Sequence, residues 1–188
     1  MISKDVLEIS GFRCDLTGNS PAYYGLSPRV AISSREIHQL VKVTKYTQGP
    51  ARICLHSAPS DLLHYMIIAH YRKFYPDAPL VRQFPTKSKI FQPLIGRILM
   101  TYVSTNGDIQ SELLLSSKDQ NIARVEIGQL YSDLPVDQVS VHAEITTGPW
   151  DVKLDRNFPR IPADRDESSK LNWYMTQMQK AEQLAFKS

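Results

Sequence analysis

The sequence predicts an all-β fold, a closed antiparallel sandwich or barrel, with a short helix before the strands and another helix after them. The first observation behind this prediction is a series of short apolar segments, separated at regular intervals by turn-forming residues, from Arg52 to about Asp151. Such spacing is typical of sandwiches and barrels. The second is Asn106-Gly107, which lies between the runs "IGRILMTYV" and "IQSELLL". Asn-Gly favours a type I′ hairpin turn because both central residues of that turn need positive φ.

Length and composition are those of a single domain with a proper core. The chain has 188 residues, of which 42% are hydrophobic, and this argues against wholesale disorder. Its formal net charge is +3, from 22 Lys and Arg against 19 Asp and Glu. The segment "HYRKFY" (70–75) mixes basic and aromatic residues, but a strand end with solvated charges explains it better than nucleic-acid contact. We therefore expect no nucleic-acid partner.

The sequence also indicates a compartment. Its longest apolar runs, such as "MIIA" and "ILM", are far too short to cross a bilayer. Charged residues, Lys4, Asp5 and Glu8, follow the first methionine in place of an apolar segment, so no signal peptide is expected. Cys14 and Cys54 do not form a disulfide framework. These features predict a cytoplasmic protein with no membrane partner.

The chain divides into three parts. Residues 1–30 are rich in turn formers and lack periodicity, so we predict an irregular N-terminal arm. Residues 31–162 form the main domain and start with a helix, which Ser33 or Ser34 can cap and which Glu36 can complete as a capping box. Gly49-Pro50 ends that helix.

Residues 163–188 are predicted to be a C-terminal helical extension. Asp166 and Glu167 give it an acidic start. Apolar residues then recur at three- and four-residue steps: Leu171, Tyr174, Met178, Ala181 and Ala185. Such a stripe marks one buried face of a helix. We expect this helix to dock on its own domain rather than to bind a partner.

A series of motifs runs through the strand region: "RICLH", "SDLLHYMIIA", "LIGRILMTYVSTNGDI", "RVEI" and "HAEITTGPWD". In this order they resemble the WbuC-type cupin-fold proteins over roughly residues 29–160. The most specific anchors are Leu55-His56, Gly96-Arg97, Glu144 and Gly148-Pro149. The resemblance implies a double-stranded β-helix, an antiparallel jelly roll with a pocket between its sheets. It also implies a setting in surface-polysaccharide biosynthesis.

The resemblance further implies a metal site, because in that family two histidines, a glutamate and a later histidine bind a divalent ion. Here the matching places hold Arg82, Phe84, Lys89 and Tyr131. Arginine and phenylalanine have no lone pair to give, and lysine would first have to lose a proton against a reference pKa of about 10.4. We therefore expect no metal and no other cofactor.

The histidines elsewhere do not change this expectation. His64 and His70 point to one face of a regular strand, but six residues span roughly 20 Å, which is too far to chelate one ion. Cys54 fits a small core residue better than a nucleophile.

The leading functional hypothesis is a metal-free cupin that binds a small polar or anionic ligand. Arg82, Lys89 and Tyr131 are the predicted ligand-binding residues, because a guanidinium, an ammonium and a hydroxyl together suit phosphate or carboxylate oxygens. A sugar nucleotide or sugar phosphate is the first guess. Alternatively, internal carboxylates such as Asp133 and Glu144 neutralise the two cations, or the long side chains extend their charged ends to water.

Two other functions remain open. The first is a metal-independent isomerase or epimerase acting on nucleotide-linked sugars, with Tyr131 as the acid and His64 or His142 as the base. No spacing ties those residues together, so the catalytic residues stay unknown. The second is a structural or interaction protein whose barrel is filled by its own side chains. A homodimer is expected, because open strand edges invite pairing.

Overall fold

The computed structural model describes residues 7–18, 20–72, 81–119, 121–151, 153 and 167–186. In chain order the strands are β1 (Phe12–Asp15), β2 (Ala22–Gly25), β3 (Ala51–Cys54), β4 (Leu63–Tyr71), β5 (Arg82–Gln83), β6 (Lys89–Ile95), β7 (Arg97–Val103), β8 (Ile109–Ser116), β9 (Ala123–Val125), β10 (Leu130–Pro135) and β11 (Val139–Thr147). The helices are α1 (Ser34–Thr47), which precedes β3, and α2 (Glu167–Ala185), which follows β11.

The strands form two sheets whose order identifies the fold. One sheet has the order β1-β2-β3-β4-β11-β6-β9 and the other the order β5-β10-β7-β8. Counted from β4 as the first strand, the larger sheet holds the first, eighth, third and sixth strands and the smaller sheet the second, seventh, fourth and fifth. This interleaving of eight strands is a jelly roll. The predicted fold class, an all-β jelly roll with one helix before it and one after it, is therefore confirmed. Among the described strands, however, the two sheets are open and do not close into the barrel that the strand spacing predicted.

Helix α1 begins where the sequence predicts. Ser33 is its N-cap, and the Glu36 side chain accepts a hydrogen bond from the Ser33 backbone at 2.8 Å, which makes a capping box. The helix buries Leu40, Val43 and Thr44. Leu40 and Val43 join one hydrophobic cluster with residues of β3, β4 and β11, so α1 covers the outer face of the larger sheet.

Helix α2 covers the outer face of the smaller sheet. Tyr174, Met178 and Ala181 form a hydrophobic cluster with Leu99 of β7 and Leu134 of β10. Docking on its own domain is thus confirmed. The proposed first residue of the helix, Asp166, lies outside the described residues, and Leu171 is half-exposed rather than buried.

The structure corrects two local predictions and adds one strand. The arm at 1–30 is not wholly irregular, because β1 and β2 pair with each other and β2 adds to the sheet in parallel with β3. Tyr23, fully buried, anchors β2 although turn formers surround it. Strand β10 was not predicted, because its interior-facing polar residues break the apolar pattern. The hairpin between β7 and β8 exists, but only Gly107 has positive φ (91°) there, so the turn is not type I′.

In the described parts of the chain, neither helix combines the length and the apolarity needed to cross a bilayer.

Candidate functional site

The space between the two sheets holds a set of buried charged and polar side chains. Alternation along a strand places them there. In β11, Val141 and Ala143 pack in the cluster under α1, whereas His142 and Glu144 face the other way and are buried. Strand β10 of the opposite sheet presents Tyr131 and Asp133 to the same space, because its other face lies under α2.

The first charged pair in this interior joins Lys89 of β6 to Glu144 of β11. The lysine Nζ lies 2.5 Å from a glutamate oxygen, and it also lies 3.5 Å from the centroid of the Phe84 ring. Burial lowers the pKa of Lys89, and the adjoining carboxylate opposes that shift. Burial is the largest single influence on the pKa of Glu144 and raises it, but the charge and hydrogen bond of Lys89, with His142 and Arg82 nearby, together hold this pKa below its ordinary value. The lowered pKa of Glu144 favours its charged form beside the lysine.

The second charged pair joins Arg82 of β5 to Asp133 of β10. The arginine Nη1 lies 2.8 Å from one carboxylate oxygen and 3.1 Å from the other. The aspartate side chain is 3% exposed and the arginine side chain 21%, so the arginine is partly open to solvent while its partner is buried.

Two of the three predicted ligand-binding residues are thus joined to internal carboxylates, as the alternative reading of the sequence allowed. The third, Tyr131, is fully buried between the Phe84 and Phe91 rings, at centroid distances of 6.2 and 5.6 Å. The three residues face one interior, but whether they bind a ligand stays a prediction.

Two buried histidines complete the interior. The rings of His70 and His142 stack with centroids 5.2 Å apart and an angle of 11° between their planes. Burial lowers the pKa of His70 to about 3 and that of His142 to about 4, so both imidazoles are neutral near pH 7. Within the described residues, neither ring nitrogen of His142 has a hydrogen-bond partner.

Asp133 lies against this histidine pair. One nitrogen from each imidazole and one oxygen of Asp133 all lie within 4.8 Å of one another. This cluster was not predicted from the sequence, because the spacing of His64 and His70 along one strand does not show which residues of neighbouring strands lie beside them. Finding it requires the register of β4 with β11, which sets His70 opposite Ser140 and His142 opposite Ile68.

The other predicted base, His64, belongs to a separate pair. Its ring stacks on His56 with centroids 4.0 Å apart, and its Nε2 lies 3.2 Å from the Pro59 carbonyl oxygen. His142, in turn, contacts the Phe91 ring at 5.5 Å, and that same ring contacts Tyr131. An imidazole whose pKa is about 4 is a weak base at neutral pH, so this arrangement does not favour proton abstraction by His142.

The four places at which the resembled family binds its metal do not fit a metal ion here. Lys89 and Arg82 are cations held by carboxylates, and Phe84 packs on the ammonium group. A divalent cation at these places would meet two positive charges and a ring without a lone pair.

Cys54 does not add a nucleophile to the interior. It is buried in a cluster with Ala22, Tyr24 and Met66. Burial raises the pKa of its thiol to about 11, which keeps the sulfur protonated at neutral pH. Its predicted role as a small core residue is confirmed.

No protein-family model and no curated protein sequence matches the chain. Solved structures match parts of it. They include the capsular polysaccharide assembling protein CapF from Staphylococcus aureus, with 13% identity and a TM-score of 0.43 over 53% of this chain and 27% of that one. Fe(II) HppE matches with 14% identity and a TM-score of 0.37 over 45% and 42% of the two chains.

Oxalate decarboxylase OxdC from Bacillus subtilis also matches, with 11% identity and a TM-score of 0.38 over 48% of this chain and 23% of that one. The chain spans less than half the length of each of these three proteins. Similarity this low assigns none of their activities to the chain.

Proposed function

We propose that this chain is a cupin-like protein that binds a small anionic molecule in the space between its two sheets, with Arg82, Lys89 and Tyr131 as the binding residues. The observation that supports the proposal most directly is the two interior ion pairs: Lys89–Glu144, which is buried, and Arg82–Asp133, in which only the arginine is partly exposed. They bring two cations to the interior of a fold that could have been filled with apolar side chains.

Stability alone does not explain such an interior. Removing two charges from water costs several kcal/mol per ion, and well-packed apolar residues of the same volume are often as stabilising or more so. Buried charges are therefore better explained by binding than by the needs of the fold. Their positions, at two of the places where the resembled family holds its metal, are consistent with this reading.

The ligand has to exchange with the internal carboxylates. Each cation already has a carboxylate partner, so an incoming phosphate or carboxylate gains only the difference between two charge-assisted contacts. Arg82, whose side chain is 21% exposed, is the residue that such a ligand meets first. We therefore expect affinity in the micromolar to millimolar range rather than tight binding.

A thermal-shift titration with inorganic phosphate, glucose 1-phosphate and a sugar nucleotide tests the proposal. We expect at least one of them to raise the melting temperature of the wild type. Arg82→Gln should weaken that response, by less than the roughly 1.5–3 kcal/mol of an uncompensated hydrogen bond to a charged group, because Asp133 competes with the ligand for the guanidinium. Arg97→Gln is the matched control, because Arg97 forms a similar ion pair with Asp137, at 2.6 Å, outside this interior. If no anion stabilises the wild type, or if the two variants respond alike, anion binding here is refuted.

The second candidate function is a structural or interaction protein with a filled interior. The packing of Phe84, Phe91 and Tyr131 around the Lys89–Glu144 pair favours it. The same titration separates the two functions, because a filled interior gives no response to any anion.

We also propose a setting for the protein, surface-polysaccharide biosynthesis in the cytoplasm by a WbuC-type homodimer. Its support is the resemblance in the motifs around Leu55-His56, Gly96-Arg97 and Gly148-Pro149. Gene neighbourhood is the direct test: genes for nucleotide-sugar or glycosyl-transfer enzymes beside this one are expected, and their consistent absence would contradict the setting.

A further inference from the structure

We propose that His70, Asp133 and His142 form a binding site for one divalent transition-metal ion, at places other than the four used by the resembled family. The three side chains are buried, at 5%, 3% and 0% exposure. One ligand atom from each lies within 4.8 Å of the other two. The proposal replaces, for this site, the expectation of a metal-free interior, which considered only the four family places and the histidines along β4.

The donor set fits such an ion. Two imidazoles and one carboxylate are the protein ligands of many zinc and non-haem iron sites, and they leave coordination positions open. In a tetrahedral site with bonds near 2.0–2.1 Å, the ligand atoms lie about 3.4 Å apart. The three atoms therefore have to approach one another on binding, by rotation of side chains whose backbones are already in position.

The state of His142 points to a ligand. Both of its ring nitrogens are buried, and in the described part of the chain neither has a hydrogen-bond partner. Leaving a buried polar group unsatisfied costs about 1–3 kcal/mol, and native structures rarely accept that cost. A metal ion accepts the lone pair of the unprotonated nitrogen, so one of the two unsatisfied ring nitrogens gains a partner.

The fold explains how the three residues meet. His70 and His142 lie on neighbouring strands of the larger sheet, β4 and β11, whereas Asp133 lies on β10 of the smaller sheet. An ion bound by all three joins the two sheets across the interior. Because the unfolded chain does not present these ligands together, binding should stabilise the folded protein.

Arg82 is the group that opposes the ion. Its Nη1 contacts both oxygens of Asp133, at 2.8 and 3.1 Å, and its charge repels a cation. A carboxylate has about four lone-pair positions, so Asp133 can ligate an ion and keep this contact. Removing the guanidinium should therefore leave metal binding as tight as in the wild type or tighter, whereas the same change should weaken anion binding. The two proposals make opposite predictions for Arg82→Gln and can fail independently.

The test uses the full chain, stripped with a chelator, freed of any affinity tag and titrated with Zn²⁺ and Co²⁺ by calorimetry and thermal shift. We expect one ion per chain, a higher melting temperature and, for Co²⁺, visible ligand-field absorption. His142→Gln and Asp133→Asn should each weaken binding at least tenfold. His56→Gln is the matched control, since His56 is also a buried histidine stacked on another histidine, but outside the cluster. The His56→Gln variant should bind the metal ion as tightly as the wild type does.

A measurement on the wild type alone covers the case in which a substitution prevents folding. X-ray absorption at the zinc edge should show two imidazole ligands and an oxygen ligand. Three results would each overturn the site. They are a folded wild type that binds no ion, a bound ion without imidazole ligands, and folded His142→Gln and Asp133→Asn variants that bind the ion as tightly as the wild type does. Weaker metal binding by Arg82→Gln would overturn the assignment of Asp133 as a ligand.

Discussion

His56 shows what burial does to a titratable side chain in this protein. It is 8% exposed and stacks on His64, with its ring edge-on to Tyr24. Burial, and to a smaller extent the neighbouring His64, lowers its pKa from 6.5 to about 4. The folded protein therefore keeps this imidazole neutral over a pH range in which the unfolded chain protonates it.

This difference predicts a loss of stability in acid. The unfolded state takes up the His56 proton near pH 6.5 and the folded state only near pH 4, so the stabilisation is complete above pH 6.5 and is lost as the pH falls through that window. Within this window, each pH unit of acidification lowers the free energy of unfolding by about 1.4 kcal/mol per histidine. Between pH 7 and pH 5, His56→Gln should therefore lose about 1–2 kcal/mol less unfolding free energy than the wild type in urea titrations. Equal losses in the two proteins would show that His56 does not titrate in this way.

At the residue scale, the sequence predicted the interior charges and their carboxylate partners, but not the histidine cluster beside them. Arg82, Lys89 and Tyr131 were placed in the interior because the resemblance gave their strand positions, and the carboxylates Asp133 and Glu144 were considered as partners. The meeting of His70, His142 and Asp133 was not found. It depends on the register of two strands and on the facing of two sheets, and periodicity along one strand contains neither.

At the scale of elements, α2 is held by a few contacts on one face. Met178 is 2% exposed and belongs to the cluster with Leu99 and Leu134, whereas Met175 on the same helix is 49% exposed. Near this cluster the buried Gln177 also accepts a hydrogen bond from the Thr101 hydroxyl at 2.8 Å. Among the described residues, the helix joins the smaller sheet through this apolar patch, this buried polar contact and an ion pair between Lys180 and Glu112 at 3.4 Å.

The two methionines give a matched pair of substitutions. Met178→Ala should lower the free energy of unfolding by about 2–5 kcal/mol, because it removes a buried side chain and leaves a cavity. Met175→Ala should change it by about 0.5 kcal/mol or less, as surface substitutions usually do. Chemical denaturation of the two variants beside the wild type measures both values. Similar values for the two would contradict the docking of α2 through Met178.

The helices were predictable because each combines a local signal with a one-sided apolar stripe. Ser33 with Glu36 marks the start of α1, and the stripe through Tyr174, Met178 and Ala181 marks the buried face of α2. Strands β2 and β10 were not, for opposite reasons. The first is short and lies among turn formers, and the second carries Ser132 and Asp133 in a strand that is buried on both faces. Only tertiary contacts reveal such strands.

At the scale of the whole molecule, each sheet is covered on its outer face by one helix, and the charged interior lies between the sheets. This leaves the strand edges as the surfaces on which sheets can extend. Among the described strands, the edges are β1 and β9 of the larger sheet and β5 and β8 of the smaller one. Short edge strands offer little to a partner. Strands β1, β5 and β9 have four, two and three residues, whereas β8 has eight.

The β8 edge is where we expect the homodimer to form. Within the described residues β8 pairs with β7 alone, and it carries the exposed apolar side chains Ile109 and Leu113. A second copy related by a two-fold axis can pair its own β8 antiparallel to this one, which satisfies backbone groups and covers those side chains.

Light scattering coupled to size exclusion should give twice the mass of the chain. Leu113→Lys should shift the mass toward the monomer, because two such lysines face each other near the axis. Leu62→Lys, which changes an equally apolar side chain that is 79% exposed and lies away from β8, should leave the dimer intact. A monomer at high micromolar concentration would exclude the dimer. A dimer that persists in the Leu113→Lys variant would show that the interface lies on another surface.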